Sequence, residues 1–175
     1  MPVMDEIRKI GVVPVIKLDD PADAVPLAKA LKAGGVPVAE VTFRTAAAEE
    51  SIRRISREVD DILVGAGTVL TVEQVERAAS AGAKFIVSPG FDREVVERSL
   101  ALGLPVLPGC ATPSEIMAAL KLGLKTVKFF PASVYGGLSG IKALSAAFPG
   151  LSFVPTGGVG PKNLAEFLGF SPILA

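Results

Sequence analysis

The sequence predicts a parallel α/β chain of the (β/α)8 TIM-barrel type, and three observations point there. Apolar runs rich in β-branched and aromatic residues alternate strictly with stretches of helical periodicity. Strand starts recur about every 20–26 residues, with short connections. Seven such units are legible, and Pro172-Ile173-Leu174-Ala175 reads as the beginning of an eighth strand. Strict alternation means parallel pairing with right-handed crossovers. Barrels of this kind usually take about 200 residues or more. The expectation is therefore one domain over residues 1–175, a barrel cut short before or within strand eight. A flavodoxin-like open sheet is the alternative.

Each element has its own signal. Val3, Met4, Ile7 and Ile10 fall at helical spacing, giving a short lead-in helix over 3–10. Residues 12–16 are a continuous apolar run, as in a strand buried on both faces. Asp20-Pro21 supplies an N-cap and a proline at the first helical position, and Gly34-Gly35 stops that helix. A strand over 38–43, a helix over 46–57 and a strand over 63–67 follow. Thr71-Val72-Glu73-Gln74 and Thr112-Pro113-Ser114-Glu115 are capping boxes opening helices that end at Gly82 and Gly123. Between them lie a strand over 85–89, a helix ending at Gly103 and a strand over 105–107. The chain closes with a strand at 126–131, a helix over 138–147, a strand over 152–155 and a short helix over 161–169.

Composition narrows the chemistry. Eighteen basic residues balance 18 acidic ones with no basic run, which argues against nucleic acid or an anionic membrane surface as partner. The longest uncharged run, 143–161, contains Pro149, Pro155, Pro161 and several glycines, so it is not read as a transmembrane helix. The first residues carry no signal-peptide pattern, and a lone Cys110 permits no internal disulfide; both fit a cytoplasmic protein. There is no histidine anywhere. That removes Ser-His-Asp and Cys-His nucleophilic catalysis and nearly every zinc site. Lys, Glu, Asp, Arg, Tyr, Cys or an oxygen-ligated metal must carry any chemistry.

The polar groups at strand ends are few. Thr126-Val127-Lys128-Phe129-Phe130-Pro131 sets one ammonium group inside an apolar strand. A lysine withdrawn from water must pair, lose its proton or do chemistry, because desolvation disfavours its charged form. An uncharged amine is a nucleophile for Schiff-base work on a carbonyl; the alternative is a lysine snorkelling from the strand end. In the strand over 38–43 and its exit, alternation puts Glu40, Thr42 and Arg44 on one face. They either form an internal Glu–Arg ion pair or work together. If both polar faces point inward, Glu40 and Lys128 share the lumen, suiting a general base beside an imine.

Gly65-Ala66-Gly67-Thr68 lacks the third glycine of a dinucleotide fingerprint, so its glycines are read as permitting close backbone approach, with Thr68 offering a hydroxyl. Ser88-Pro89-Gly90 and Pro108-Gly109-Cys110 read chiefly as turns, with Cys110 a small buried residue. Gly157 and Gly158, before Val159-Gly160-Pro161, can expose backbone N–H groups as an anion cradle, the alternative being a plain glycine turn.

With these residues in hand, the chain resembles the 2-keto-3-deoxy-6-phosphogluconate (KDPG) and 4-hydroxy-2-oxoglutarate (KHG) aldolases, a class I family. The resemblance runs from about Val12 to Ala175, on Val12-Val13-Pro14-Val15, Glu40-Val41-Thr42-Phe43-Arg44-Thr45, Gly65-Ala66-Gly67-Thr68-Val69, Ser88-Pro89-Gly90, Lys128-Phe129-Phe130-Pro131-Ala132 and Pro155-Thr156-Gly157-Gly158. It implies a lyase that forms a Schiff base through Lys128, with Glu40 as proton acceptor and donor. Arg44 and Thr68 would hold the pyruvate-end carboxylate. Pro89, Phe130 and Thr156 would line the site, and Gly157 and Gly158 would hold the phosphate. It implies no metal and no cofactor, a homotrimer, and a place in the Entner-Doudoroff pathway of carbohydrate metabolism. The family's chain continues through strand eight with a Gly-Ser pair and a closing helix, which this sequence does not contain. Two other readings stay open: a metal-dependent pyruvate lyase using Glu40 and a second carboxylate, and a barrel fragment or assembly subunit without catalysis.

Overall fold

The computed structural model describes residues 2–175. By internal contacts the chain divides into two compact units, Met1–Ser88 with Asp92–Val106, and Pro89–Phe91 with Leu107–Ala175. Both are built from parallel strands and helices, the fold class that the alternation predicts.

The first unit opens on α1 (Pro2–Ile10), whose Ile7 is fully buried. Its strands are β1 (Val15–Ile16), β2 (Val38–Thr42), β3 (Leu63–Gly67) and β4 (Ile86–Val87), and β5 (Val106–Leu107) begins at its boundary. They run in sheet order β1-β2-β3-β4-β5. β2 and β3 carry the longest register, from Val38↔Leu63 to Thr42↔Gly67, with Glu40 opposite Gly65. Consecutive strands can neighbour one another in parallel only if a helix carries the chain back. Those helices are α2 (Ala24–Ala33), entered through a 3-10 turn at Pro21–Asp23, then α3 (Ala48–Glu58), α4 (Val72–Ala81) and α5 (Arg93–Ala101). Every residue of β2 is buried, and Val38, Val41, Ile52, Ile55, Phe85 and Ile86 form the core.

The second unit centres on β6 (Thr126–Phe129) and β7 (Ser152–Pro155), paired in parallel with Lys128 opposite Val154. A bridge from Gly109 to Lys128 extends the ladder on one side, and one from Phe153 to Ile173 extends it on the other. The expected beginning of an eighth strand is therefore paired, through Phe153 N–H to Pro172 O and Leu174 N–H to Phe153 O. Helices α6 (Pro113–Lys121), α7 (Gly137–Ala147) and α8 (Leu164–Leu168) complete the unit. Phe129 and Phe153 meet edge to face, 6.5 Å between centroids, in its core.

The helix ends follow their chemistry. Thr71, Asp92 and Thr112 each accept from a backbone N–H three residues on. At Thr112 the box is complete, because Glu115 accepts in return from the Thr112 N–H at 2.8 Å. The box expected at Thr71 is half right: Gln74 turns its side-chain oxygen to the N–H of Leu70 instead. Gly82 stops α4 with φ of 99°, a conformation that costs most residues a clash at Cβ.

Several boundaries differ from expectation. The first strand shrinks from 12–16 to Val15–Ile16, because it lies at the sheet edge with β2 as its partner. The last helix covers only Leu164–Leu168, because Asn163 commits its side chain to the preceding loop, accepting from Gly160 N–H and donating to Gly158 O. The strand bearing Lys128 ends at Phe129, and the one before Pro89 at Val87.

Candidate active site

In the first unit, β2 carries Glu40 at its middle and Thr42 at its end, with 4% and 1% of their surface exposed. Burial that deep is costly for a carboxylate unless it is partnered. Backbone space for it comes from the neighbouring strand. A Cβ on Gly67 would overlap Glu40 Oε1 and lie 2.6 Å from its Cγ and 2.8 Å from its Cδ. The carboxylate thus lies across the face of Gly67, which only glycine leaves open. Gly65 is the same device for a ring: its Cβ would overlap Phe85. The reading of these glycines as points of close approach holds at both.

Thr42 donates its hydroxyl to Ile16 O at 2.8 Å and accepts from Arg44 Nε at 3.0 Å. Arg44 lies past the strand, in a turn, with its side chain exposed. From beyond the end of the strand it still reaches back to Thr42, so the two side chains meet as the expected common face requires. The same turn is tied at Thr45, whose hydroxyl donates to Leu18 O. On its flank Arg77 stacks over the Phe43 ring at 5.6 Å and bonds Glu49 at 2.7 Å.

Thr68 directly follows β3 and holds φ of 54°. A left-handed β-branched residue is strained, at about 1–3 kcal/mol. Such outliers cluster where a side chain must be aimed for function rather than for stability.

In the second unit, Lys128 is 5% exposed. Its N–H donates to Pro108 O and its carbonyl accepts from Cys110 N–H, so hydrogen bonds from the neighbouring segment pin its backbone. Its Nζ lies 5.1 Å from the centroid of the half-buried Phe130 ring. Beyond it, Thr156 N–H bonds Phe129 O, Ala132 N–H bonds Thr156 O and Ser133 N–H bonds Gly157 O. These rungs bring the loop after β6 onto the loop after β7. Gly157 and Gly158 hold φ of 91° and 81°. Their N–H groups find no backbone acceptor among the described residues, as an anion cradle requires.

Pro89 packs its carbonyl against Gly109, where a Cβ would overlap it. Cys110 is fully buried, and burial, with the nearby charge of Glu115, pushes its thiol up to about 12. It is a packing residue and not a nucleophile at neutral pH. Among the described residues no group of three or more His, Cys, Asp or Glu is placed to hold a metal ion. No helix among them is long and apolar enough to cross a membrane.

Sequence reasoning missed the specific seat that Gly67 makes for Glu40, the clamp of Phe43 by Arg77, and the left-handed Thr68. The first was within reach, because a glycine in a buried strand signals something large lying against it. The other two left no local signal.

Known proteins resemble the chain along almost its whole length. The chain is 47% identical over 173 residues to the 2-dehydro-3-deoxy-phosphogluconate aldolase of Treponema pallidum (strain Nichols), covering 99% of this chain and 82% of that protein. Its fold matches the 2-keto-3-deoxy-6-phosphogluconate aldolase of Zymomonas mobilis ZM4, solved with 3-phosphoglycerate, at a TM-score of 0.95 and 40% identity. That match covers 100% of this chain and 84% of that one. The KDPG aldolase of Legionella pneumophila, solved with pyruvate captured as a covalent carbinolamine, matches at a TM-score of 0.91 and 40% identity over 97% of this chain and 84% of that one. A sequence profile of KDPG and KHG aldolases matches residues 3–175. With a buried lysine on β6, a buried carboxylate on β2 and these matches along almost the whole chain, the protein belongs to the KDPG and KHG aldolase family.

Proposed function

We propose that this chain is a class I aldolase that splits 2-keto-3-deoxy-6-phosphogluconate into pyruvate and glyceraldehyde 3-phosphate, and 4-hydroxy-2-oxoglutarate into pyruvate and glyoxylate. The observation that carries the reading is Lys128, a lysine held in the middle of a buried strand and 5% exposed, in a chain of the aldolase family.

The residues then take these roles. Lys128 Nζ adds to the C2 keto carbon, and the carbinolamine loses water to give a protonated imine. A base takes the proton of the C4 hydroxyl, the C3–C4 pair flows into the imine, and C4 leaves as an aldehyde. The enamine left behind takes a proton at C3, and water hydrolyses the imine to release pyruvate and the amine. Because the imine is itself the electron sink, this route requires neither metal nor cofactor. Glu40, a buried carboxylate seated on Gly67, is the proton acceptor and donor. Arg44 and Thr68 bind the pyruvate carboxylate, one with a guanidinium and the other with a hydroxyl aimed by a strained backbone. Pro89, Phe130 and Thr156 line the site, and the Gly157 and Gly158 N–H groups take the phosphate.

The protein works as a homotrimer in the cytoplasm, and residues 1–175 act as one domain. Exposed Met117 and Leu120 on α6 give an apolar surface for self-association, and a free, buried Cys110 suits a reducing compartment. Light scattering on the purified protein tests the trimer, and a single calorimetric transition tests the domain.

The reaction is tested by borohydride reduction with pyruvate, read by intact mass and peptide mapping beside Lys128→Ala. A reduced pyruvate adduct on Lys128, absent in the variant, is the expected result. A folded protein with no adduct would overturn the imine mechanism.

A further inference from the structure

Resting on the aldolase reading above, in which Arg44 meets the substrate's pyruvate-end carboxylate, we propose that Arg77 is a positioning residue that aims Arg44 and so sets substrate affinity. Arg77 lies in the middle of α4, with its guanidinium carbon 5.6 Å from the centroid of the Phe43 ring. Phe43 directly precedes Arg44 in the turn after β2. The two neighbours leave the backbone for different partners, the ring for Arg77 and the Arg44 guanidinium for Thr42. Holding the ring restricts the backbone dihedral angles of Phe43, and with them the direction in which Arg44 departs.

Phe43 is held by its backbone as well, since its N–H donates to Gly67 O at 2.8 Å and ties the turn to the end of β3. Arg77 is itself braced, because its Nε donates to Glu49 Oε2 at 2.7 Å while its guanidinium stacks on the ring. A planar, delocalised cation suits both tasks at once.

The bond to Glu49 also keeps Arg44 available. Arg77 and Arg53 take one oxygen each of Glu49, and Arg53 and Arg54 one each of Glu50. The carboxylates that follow the turn are therefore matched to cations other than Arg44. Among the described residues Arg44 makes one hydrogen bond, from Nε to Thr42 at 3.0 Å. Its two terminal nitrogens remain for the paired oxygens of a carboxylate. Loss of Arg77 would free both the ring and Glu49 Oε2, so Arg44 would lose its fixed direction.

The test measures kcat and KM on 2-keto-3-deoxy-6-phosphogluconate, and the pyruvate concentration that half-saturates borohydride trapping on Lys128. It compares the unaltered protein, Arg77→Ala, Arg44→Ala and the double variant. Weaker carboxylate binding raises KM and leaves kcat. An exposed cation–ring stack and an exposed ion pair together correspond to roughly three- to thirtyfold. Arg77→Ala should raise KM and the half-saturating pyruvate by about that factor, with kcat within about twofold. In the Arg44→Ala background the same change should add less than about twofold, since a residue acting through Arg44 has nothing left to aim. Arg77→Met, which keeps the aliphatic stem and loses the charge, carries the same expectation should Arg77→Ala fail to fold. Arg54→Ala, which breaks a neighbouring exposed ion pair with Glu50, should leave both constants unchanged. An unchanged KM in the Arg77 variants, equal effects with and without Arg44, or the same rise in Arg54→Ala, while trapping persists, would overturn the role of Arg77. Failure of the unaltered protein to trap pyruvate would instead sink the aldolase reading and this proposal with it.

Discussion

Gly67→Ala isolates the seat of the Glu40 carboxylate. The added methyl would lie 2.6 Å from Glu40 Cγ and 2.8 Å from its Cδ. Carbon atoms rest at about 3.5–4.0 Å, so the side chain must retreat by roughly 1 Å. Overpacking of this kind costs about 1–3 kcal/mol of stability. A displacement of 1 Å at a reacting group costs on the order of a hundredfold in rate. The two effects are separated by a control, Gly65→Ala, whose methyl meets the Phe85 ring rather than a catalytic group. Both variants should lower the urea midpoint. Exchange of the pyruvate methyl protons in deuterated water, followed by proton NMR, reports the proton shuttle. Borohydride trapping reports imine formation separately. Gly67→Ala should still trap pyruvate on Lys128 while methyl exchange falls about a hundredfold; Gly65→Ala should keep exchange within a few-fold of the unaltered protein. If Gly67→Ala exchanges at an undiminished rate, the position of Glu40 on Gly67 does not govern proton transfer and the argument fails.

Other perturbations have equally definite outcomes. Burial raises the Glu115 carboxyl, but hydrogen bonds from the Ala111 N–H, the Thr112 hydroxyl and the Thr112 N–H outweigh it and hold the group below its ordinary value. A carboxylate depressed in the folded state stabilises fully above its unfolded pKa of about 4.3 and loses that contribution as pH falls through its folded value. Glu115→Ala should therefore cost about 0.5–1 kcal/mol at pH 7 and markedly less at pH 3, read from urea midpoints at the two pH values. Cys110, protonated and buried, should react with iodoacetamide at pH 8 only at the rate of unfolding, so urea should accelerate labelling in step with the loss of circular dichroism. Ser51 Oγ is fully buried in α3 with no hydrogen-bond partner among the described residues. Ser51→Ala should leave the melting temperature unchanged or raise it, since an unsatisfied buried hydroxyl costs about 1–3 kcal/mol; a clear fall would show that the hydroxyl is satisfied in solution.

The architecture was legible because its punctuation is local. The capping box at Thr112 and the left-handed stop at Gly82 depend on a few adjacent residues, and both stand where the sequence put them. Element lengths were less so. How much of residues 12–16 becomes strand depends on the neighbour across the sheet, which no local pattern encodes. Similarly, Gln74 bonds Leu70 N–H rather than closing its box on Thr71, a choice made by side-chain geometry after the helix has formed. At the site, the burial of Glu40 and Lys128 could be foreseen from apolar flanks. The exposure of Arg44 could not, because it depends on where β2 stops. The contact of Ser133 with Gly158 links residues 25 positions apart and exists only once β6 and β7 pair.

The left-handed backbone at Thr68 has a consequence for engineering this chain. Asn and Gly occupy that conformation with little penalty, whereas other residues bear roughly 1–2 kcal/mol there. A library ranked by melting temperature would thus enrich Thr68→Asn and Thr68→Gly, both of which discard the hydroxyl proposed to meet the substrate's carboxylate. Selection for heat resistance and selection for turnover would then pull this one position in opposite directions. Thermostabilised descendants should be screened on pyruvate affinity before any is taken forward.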